Sequence, residues 1–147
     1  MLKGISPLLS PELLKVLCEM GHGDELVIAD GNFPCESMGK NAVVIRADGH
    51  GVPELLDAIL RLIPLDAYVE KPVALMEVVP GDTCPTPEIW DVYKKILNQY
   101  EPNNCDIDMT ERFAFYERAK KAYLIIATGE TAIYANILLK KGVVKPE

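Results

Sequence analysis

Two glycines flank His22 in the run Met20-Gly21-His22-Gly23-Asp24-Glu25, and an apolar stretch, Leu26-Val27-Ile28-Ala29, leads from it to Asp30. Glycine on both sides lets the backbone turn tightly and leaves room beside the imidazole. A histidine and a carboxylate held near each other on the edge of a rigid sheet could pass a proton near neutral pH. A helix-end histidine that only packs and hydrogen-bonds locally fits the same pattern, and the pattern leaves both readings open. A metal site built from His22, Asp24 and Asp30 is a poor match, because one histidine with loosely spaced acids lacks the ligand set of zinc centres.

Other polar residues stand where a ligand or the fold itself could use them. Asn136 interrupts the apolar run that follows Tyr134-Ala135, and a buried amide must find partners in a polar ligand or in neighbouring backbone. Tyr116 and Phe113 lie three apart on one helix, a spacing that suits core packing, yet a buried tyrosine hydroxyl needs a polar partner. Arg112 reads as a solvated arginine or a partner of Glu111, Asp66 as a turn residue after Pro64, and His50 as a surface-loop histidine. No Ser/His/Asp or Cys/His triad order can be defended from spacing.

The elements that would hold these residues follow from periodicity and punctuation. Ser10-Pro11-Glu12 opens a helix, with Ser10 as N-cap, apolar Leu13, Val16, Leu17 and Met20 on one face, and Gly21 suited to the C-terminal cap. Glu25–Ala29 reads as a strand, a breaker-rich loop runs from Asp30 to Gly39, and Val43–Ile45 is a second strand. Pro53-Glu54 opens a helix that Pro64 stops. A strand over 73–79 follows, broken by Pro80-Gly81-Asp82, and Pro87-Glu88 opens a helix whose apolar face carries Ile89, Tyr93, Ile96, Leu97 and Tyr100. After a loop at Asn103-Asn104, a helix is expected over 111–121. Strands are expected over 123–127 and 134–139, joined by a turn at Thr128-Gly129-Glu130. Alternating helices and strands predict a sheet with helices on its faces, and the closing strand–turn–strand adds an antiparallel element.

Composition bounds the rest. The chain has 147 residues, enough for one domain to bury a core without a disulfide or metal staple. Fifteen basic and 22 acidic residues give a net charge of −7, and no basic run exists to neutralise phosphates, which argues against nucleic acid and anionic membranes as partners. Cys18, Cys35, Cys84 and Cys105 form no Cys-x-x-Cys pair, so free thiols in a reducing cytoplasm are expected. No secretory leader, membrane span, Walker loop or Gly-x-Gly-x-x-Gly fingerprint is read from the chain.

Several separated segments resemble one family. Gly21-His22-Gly23-Asp24-Glu25, Ile45-Arg46-Ala47-Asp48-Gly49, Pro64-Leu65-Asp66-Ala67-Tyr68, the stretch Glu111 to Ala119, Thr128-Gly129-Glu130 and the tail Tyr134 to Val143 are together similar to the fucose mutarotase/D-ribose pyranase family. The Arg112-Phe113-Ala114-Phe115-Tyr116-Glu117-Arg118 run points to its fucose branch. The resemblance spans nearly the whole chain and implies a single domain over 1–147. It implies a three-layer α/β/α fold with a mixed, mainly parallel central sheet. The implied activity is a cofactor-free isomerase that interconverts the α and β anomers of free L-fucose, with D-ribose and galactose as further candidate monosaccharides. It also implies a cytoplasmic homo-oligomer, a ring such as a decamer or else a dimer. By position, His22 matches the family's catalytic acid, and Asp30, Arg112, Tyr134 and Asn136 match sugar-contacting residues. Asp66 and Tyr116 match contacts in some members. Ala135 departs from a usual glycine, a change that is strained only if the backbone there needs positive φ. A D-ribose pyranase and a non-catalytic sugar-binding module are the alternative functions.

Overall fold

Ser10 starts the first helix as its side chain dictates: Oγ accepts the Leu13 N–H at 3.1 Å, and Pro11 supplies a preset first turn. The computed structural model describes residues 1–84 and 86–147. Along the chain run α1 (Pro11–Glu19), β1 (Glu25–Ala29), α2 (Cys35–Met38), β2 (Val43–Ala47), α3 (Val52–Leu60) and β3 (Val73–Met76). Then follow α4 (Ile89–Tyr100), β4 (Ile107–Thr110), α5 (Arg112–Lys121), β5 (Leu124–Thr128) and β6 (Ile137–Lys140).

The strands form one sheet in the order β2-β5-β1-β6-β3-β4. β2, β5 and β1 pair in parallel, as do β3 and β4, whereas β6 lies antiparallel between β1 and β3. Period-two alternation sorts side chains to two faces. Leu26 and Ile28 join α1, α3 and α4 through Leu13, Leu17, Leu56, Ile59, Tyr93 and Leu97. Val27 and Ala29 face the other way, against Phe33, Cys35 of α2 and Phe115 and Ala119 of α5. Helices thus cover both faces, and the three-layer, mainly parallel mixed sheet expected from the sequence is present. Alanines at 29, 74, 119 and 127 line the second face, which lets α5 lie close to the sheet.

Several features differ from the sequence reading. β6 does not form a hairpin with β5, because β1 lies between them. It starts at Ile137 rather than Tyr134, since Tyr134 holds φ 54° and cannot continue a strand. β3 stops at Met76 rather than residue 79. β4, in a stretch that the sequence reading left unassigned between the Asn103-Asn104 loop and the helix at 111, is a four-residue edge strand interrupted by Asp108. Gly21 is not the left-handed residue of the His22 loop; Gly23 is, at φ 85°.

At the carboxyl edge of the parallel strands, the loops after β2 and β5 meet so closely that only glycine fits. The Gly129 N–H donates to the His50 carbonyl at 3.0 Å, and a Cβ at 129 would stand 1.9 Å from the Asp48 carbonyl oxygen. Gly129→Ala should therefore cost roughly 1–3 kcal/mol or more through forced backbone displacement. Gly49→Ala, where a Cβ meets open space, should stay within about 0.5 kcal/mol of the parent. Urea denaturation of the two variants checks the contrast, and equal midpoints would contradict it.

Candidate active site

The residues singled out from the sequence gather at two opposite ends of the sheet. At the carboxyl end of β1, Asp30 is 4% exposed, and its carboxylate accepts the Asn32 N–H at 3.0 Å and the Ala135 N–H at 3.2 Å. The Asp30 N–H donates in turn to Asn136 Oδ1 at 2.7 Å. Burial pushes the Asp30 carboxyl above its ordinary value, although the N–H donors of Ala135, Asn32 and Phe33 pull against that rise. Asn136 fills its acceptor in this way; among the described residues its amide N–H groups donate to nothing and remain available to a ligand oxygen.

Among the described residues, Tyr134 is the non-glycine residue with left-handed backbone, a conformation that costs of order 1–3 kcal/mol and persists only under firm bracing. Two α4 side chains supply the bracing. Trp90 Nε1 donates to the Tyr134 carbonyl at 2.8 Å, and the Tyr93 hydroxyl donates to the Ala135 carbonyl at 2.6 Å. Burial pushes the Tyr93 hydroxyl up, which keeps it a donor. The positive φ falls on Tyr134, not on Ala135, so alanine in place of glycine there carries no backbone strain.

Arg112 opens α5, whose N-cap Glu111 accepts the Phe113 and Ala114 N–H groups, each at 3.0 Å. Its Nε donates to the Tyr116 hydroxyl at 3.4 Å, and its guanidinium carbon lies 5.4 and 5.5 Å from the Phe113 and Tyr116 ring centroids. Donating to the Tyr116 hydroxyl raises Arg112 above its ordinary value, and the nearby Tyr134 phenol adds to the effect. Tyr116 packs edge-on against Phe33, so it is part core and part polar wall. Phe113, by contrast, is 67% exposed rather than packed in the core. A cleft of about 70 Å³ opens here between Glu77–Pro80 and Arg112, well below the ~300 Å³ at which small-molecule sites begin. A larger cavity of about 580 Å³ lies under the N-terminal segment and is lined by none of these residues.

At the other end of β1 stands His22. Its Nε2 is 3.0 Å from Asp66 Oδ1, and Tyr68 packs on the imidazole at a centroid distance of 5.3 Å. The expected proximity of His22 to Asp30 is not found within one chain: β1 separates them, and the partner carboxylate is Asp66. Far from being a simple turn residue, Asp66 is buried. It accepts the Tyr68 N–H at 3.0 Å, and Asn104 Nδ2 donates to its carbonyl at 2.9 Å. Burial pushes the Asp66 carboxyl up, but the Tyr68 N–H, His22 and Lys140 outweigh it and hold it below the ordinary carboxylate range. A charged carboxylate only accepts, so His22 Nε2 carries the proton of this contact and Nδ1 is left to meet a substrate. The imidazole side chain is 45% exposed against 3% for Asp66, an anchored acid–base group facing open space.

The last residues of β6 tie this end together. The Asp66 N–H donates to the Lys140 carbonyl at 3.0 Å, and the Gly23 N–H donates to the Lys141 carbonyl at 2.9 Å. The Lys141 ammonium donates to the Leu17 and Met20 carbonyls at the end of α1. Sequence reasoning missed Asp66 as the histidine's partner and missed Trp90 and Tyr93 as braces. The signal for Tyr93 was present, because a tyrosine on the buried face of a helix must place its hydroxyl on an acceptor.

Residues 3–144 match the RbsD / FucU transport protein family. The chain belongs to that family. It is similar to the fucose mutarotase of Danio rerio, at 55% identity over 149 residues that cover 99% of this chain and 96% of the relative. Its fold superposes on FucU from Bifidobacterium longum with a TM-score of 0.94 and 62% identity, over 97% of this chain and all of that one. The fucose mutarotase of Streptococcus pneumoniae, whose crystal structure is a complex with L-fucose, gives a TM-score of 0.92 at 52% identity over 98% of this chain and all of that one. These two structures thus share this chain's arrangement of elements.

The Asp66 carboxyl has a sign that stability can read. Its pKa is lowered by folding, so its contribution is fully present above the unfolded value of about 3.9 and is lost as pH falls through the folded value. Asp66→Asn should remove that dependence. Between pH 7 and pH 3 the parent should lose more unfolding free energy than the variant, as measured by denaturant titration, and parallel losses would contradict the assignment.

Proposed function

We propose that this chain is an L-fucose mutarotase that interconverts the α and β anomers of the free sugar by general acid–base ring opening and closure. The observation that carries the reading is the His22–Asp66 pair, in a chain similar over nearly its full length to a fucose mutarotase crystallised with L-fucose. In the opening step the anomeric O–H loses its proton to a base, the C1–O5 bond breaks as the C1 carbonyl forms, and His22 Nδ1 delivers a proton to O5. Rotation about C1–C2 turns the carbonyl, and closure from the other face returns the O5 proton to neutral His22 while the protonated base gives its proton back to the carbonyl oxygen, which becomes the new anomeric hydroxyl. Asp66 holds the imidazole in the correct tautomer and stabilises its charged form. Asp66 is therefore assigned to His22 rather than to the sugar. Asp30, through its grip on Asn32, Ala135 and Asn136, shapes the cradle. Arg112, Tyr116, Tyr134 and Asn136 offer it hydrogen bonds to hydroxyls. General acid–base catalysis supplies about 10²–10⁴ in rate, enough for a reaction that also proceeds unaided.

The division of the site supports a homo-oligomer. At about 3.3 Å per residue, the five residues of β1 hold its two ends about 13 Å apart, too far for one monosaccharide to meet His22 and the Asn136 cradle of the same copy. The His22 edge of one copy facing the Asn136 edge of another completes the constellation. Such a contact joins unlike surfaces and closes as a ring, or as a dimer with two equivalent sites. The chain is read as one domain over 1–147. Among the described residues no helix is long and apolar enough to cross a membrane. The free thiols of Cys18, Cys35 and Cys105 accord with a cytoplasmic setting.

Saturation-transfer proton NMR on equilibrated L-fucose tests the activity. Irradiating one anomeric proton should reduce the other only when the protein is present, and His22→Ala should remove most of the transfer while leaving the fold intact. Transfer with D-ribose alone would shift the assignment to a pyranase. No transfer with either sugar, despite binding, would leave a sugar-binding module.

A further inference from the structure

The loop between β3 and α4 reaches over to Tyr134, and nothing in the activity proposed above uses it. The Tyr134 hydroxyl donates to Asp82 Oδ2 and accepts the Val79 N–H at 3.3 Å. Asp82 is set for this by its own turn: its N–H donates to the Val79 carbonyl at 3.0 Å, and its Oδ1 accepts the Cys84 N–H at 3.1 Å. The Tyr134 O–H, followed by the Cys84 and Thr83 N–H groups, holds the Asp82 carboxyl below its ordinary range. It is therefore charged at neutral pH and can only accept. The Asp82 residue is exposed, so the fold has no buried charge there to satisfy.

We infer that Asp82 is a positioning residue that fixes the Tyr134 hydroxyl as a hydrogen-bond acceptor toward the sugar and so sets which hydroxyl pattern the site takes. The inference rests on the mutarotase reading, in which Tyr134 touches the sugar. A phenol oxygen has one proton to donate and otherwise acts as an acceptor. Asp82 takes the proton, so a ligand can meet this oxygen only by donating to it, in competition with the long 3.3 Å contact from the Val79 N–H. The brace from Trp90 and Tyr93 fixes the backbone beneath the ring, which leaves the direction of the O–H as the freedom that Asp82 removes. A sugar that presents an O–H to this oxygen is accepted. An analogue carrying fluorine at the same carbon cannot donate and leaves the site with an unmet acceptor.

The chain has one tryptophan, Trp90, which donates to the Tyr134 carbonyl, so its fluorescence reports on this site directly. L-fucose and its 2-, 3- and 4-deoxyfluoro analogues are titrated into the parent, Asp82→Ala and Asp82→Asn, each checked for an unchanged thermal transition. One fluoro analogue should bind the parent about tenfold more weakly than L-fucose, the scale of one unmet hydrogen bond. That gap should shrink to a few-fold in Asp82→Ala, where the phenol is free to donate to fluorine. It should persist in Asp82→Asn, whose Oδ1 still accepts the phenol proton. An equal gap in all three proteins, or Asp82→Asn behaving as Asp82→Ala does, would overturn the assignment. A parent that binds L-fucose but discriminates against no fluoro analogue would overturn it as well. A parent that fails to bind L-fucose at all would instead remove the mutarotase reading and this assignment with it.

Discussion

Strand β6 runs against both of its neighbours in the middle of the sheet, and its two ends carry the two halves of the site. Its central residues Ile137, Leu138 and Leu139 are fully buried and hydrogen-bonded to β1 on one side and β3 on the other. Register slippage by one residue would turn every side chain to the wrong face, so the strand is locked. Before it come Tyr134, Ala135 and Asn136, meeting Asp30 at the carboxyl end of β1. Beyond it come Lys140 and Lys141, whose backbones hold Asp66 and the His22 loop. A parallel strand in this position would reverse that order and bring residues 140 and 141 to Asp30.

The two ends satisfy their polar groups differently, and the difference matches their chemistry. At the Asn136 end, buried carboxylate, amide and backbone groups are spent mostly on one another, which makes a stiff cradle with a few free donors. A cradle of that kind binds hydroxyls without reorganising. At the His22 end, one buried carboxylate carries one half-exposed imidazole. An exposed acid–base group anchored from beneath can move a proton and still present a defined nitrogen. Neither end alone joins an acid–base group to the cradle, which is the physical ground for proposing that a second copy completes the site.

Much of the frame was legible in the sequence because local rules decided it. Ser10-Pro11 set the start of α1, the apolar run 26–29 set β1, and the alternation of elements set the layered class. The rest depended on contacts distant along the chain. Asp66 lies 44 residues from His22, and only the ladder through β6 brings them together. β4 was left unassigned because Asp108 interrupts a run of only four residues, whereas on an exposed edge such a charge guards against unwanted pairing. Tyr134 was read into the last strand because no propensity rule foresees a left-handed tyrosine held by Trp90 and Tyr93. The residues named through family resemblance fall on two opposite edges of the sheet, a division that was not visible without the sheet order.

The central claim is that His22 of one copy works with the cradle of another. Co-expression of a His22→Ala chain with an Arg112→Ala chain, followed by saturation-transfer NMR on the mixed assembly, tests it most directly. Each variant alone should be nearly inactive, and the mixed assembly should recover a substantial fraction of the parent rate, because some sites then join an intact His22 to an intact Arg112 from different copies. Mixed assemblies as inactive as the separate variants would show that the two residues act within one chain and would contradict the account.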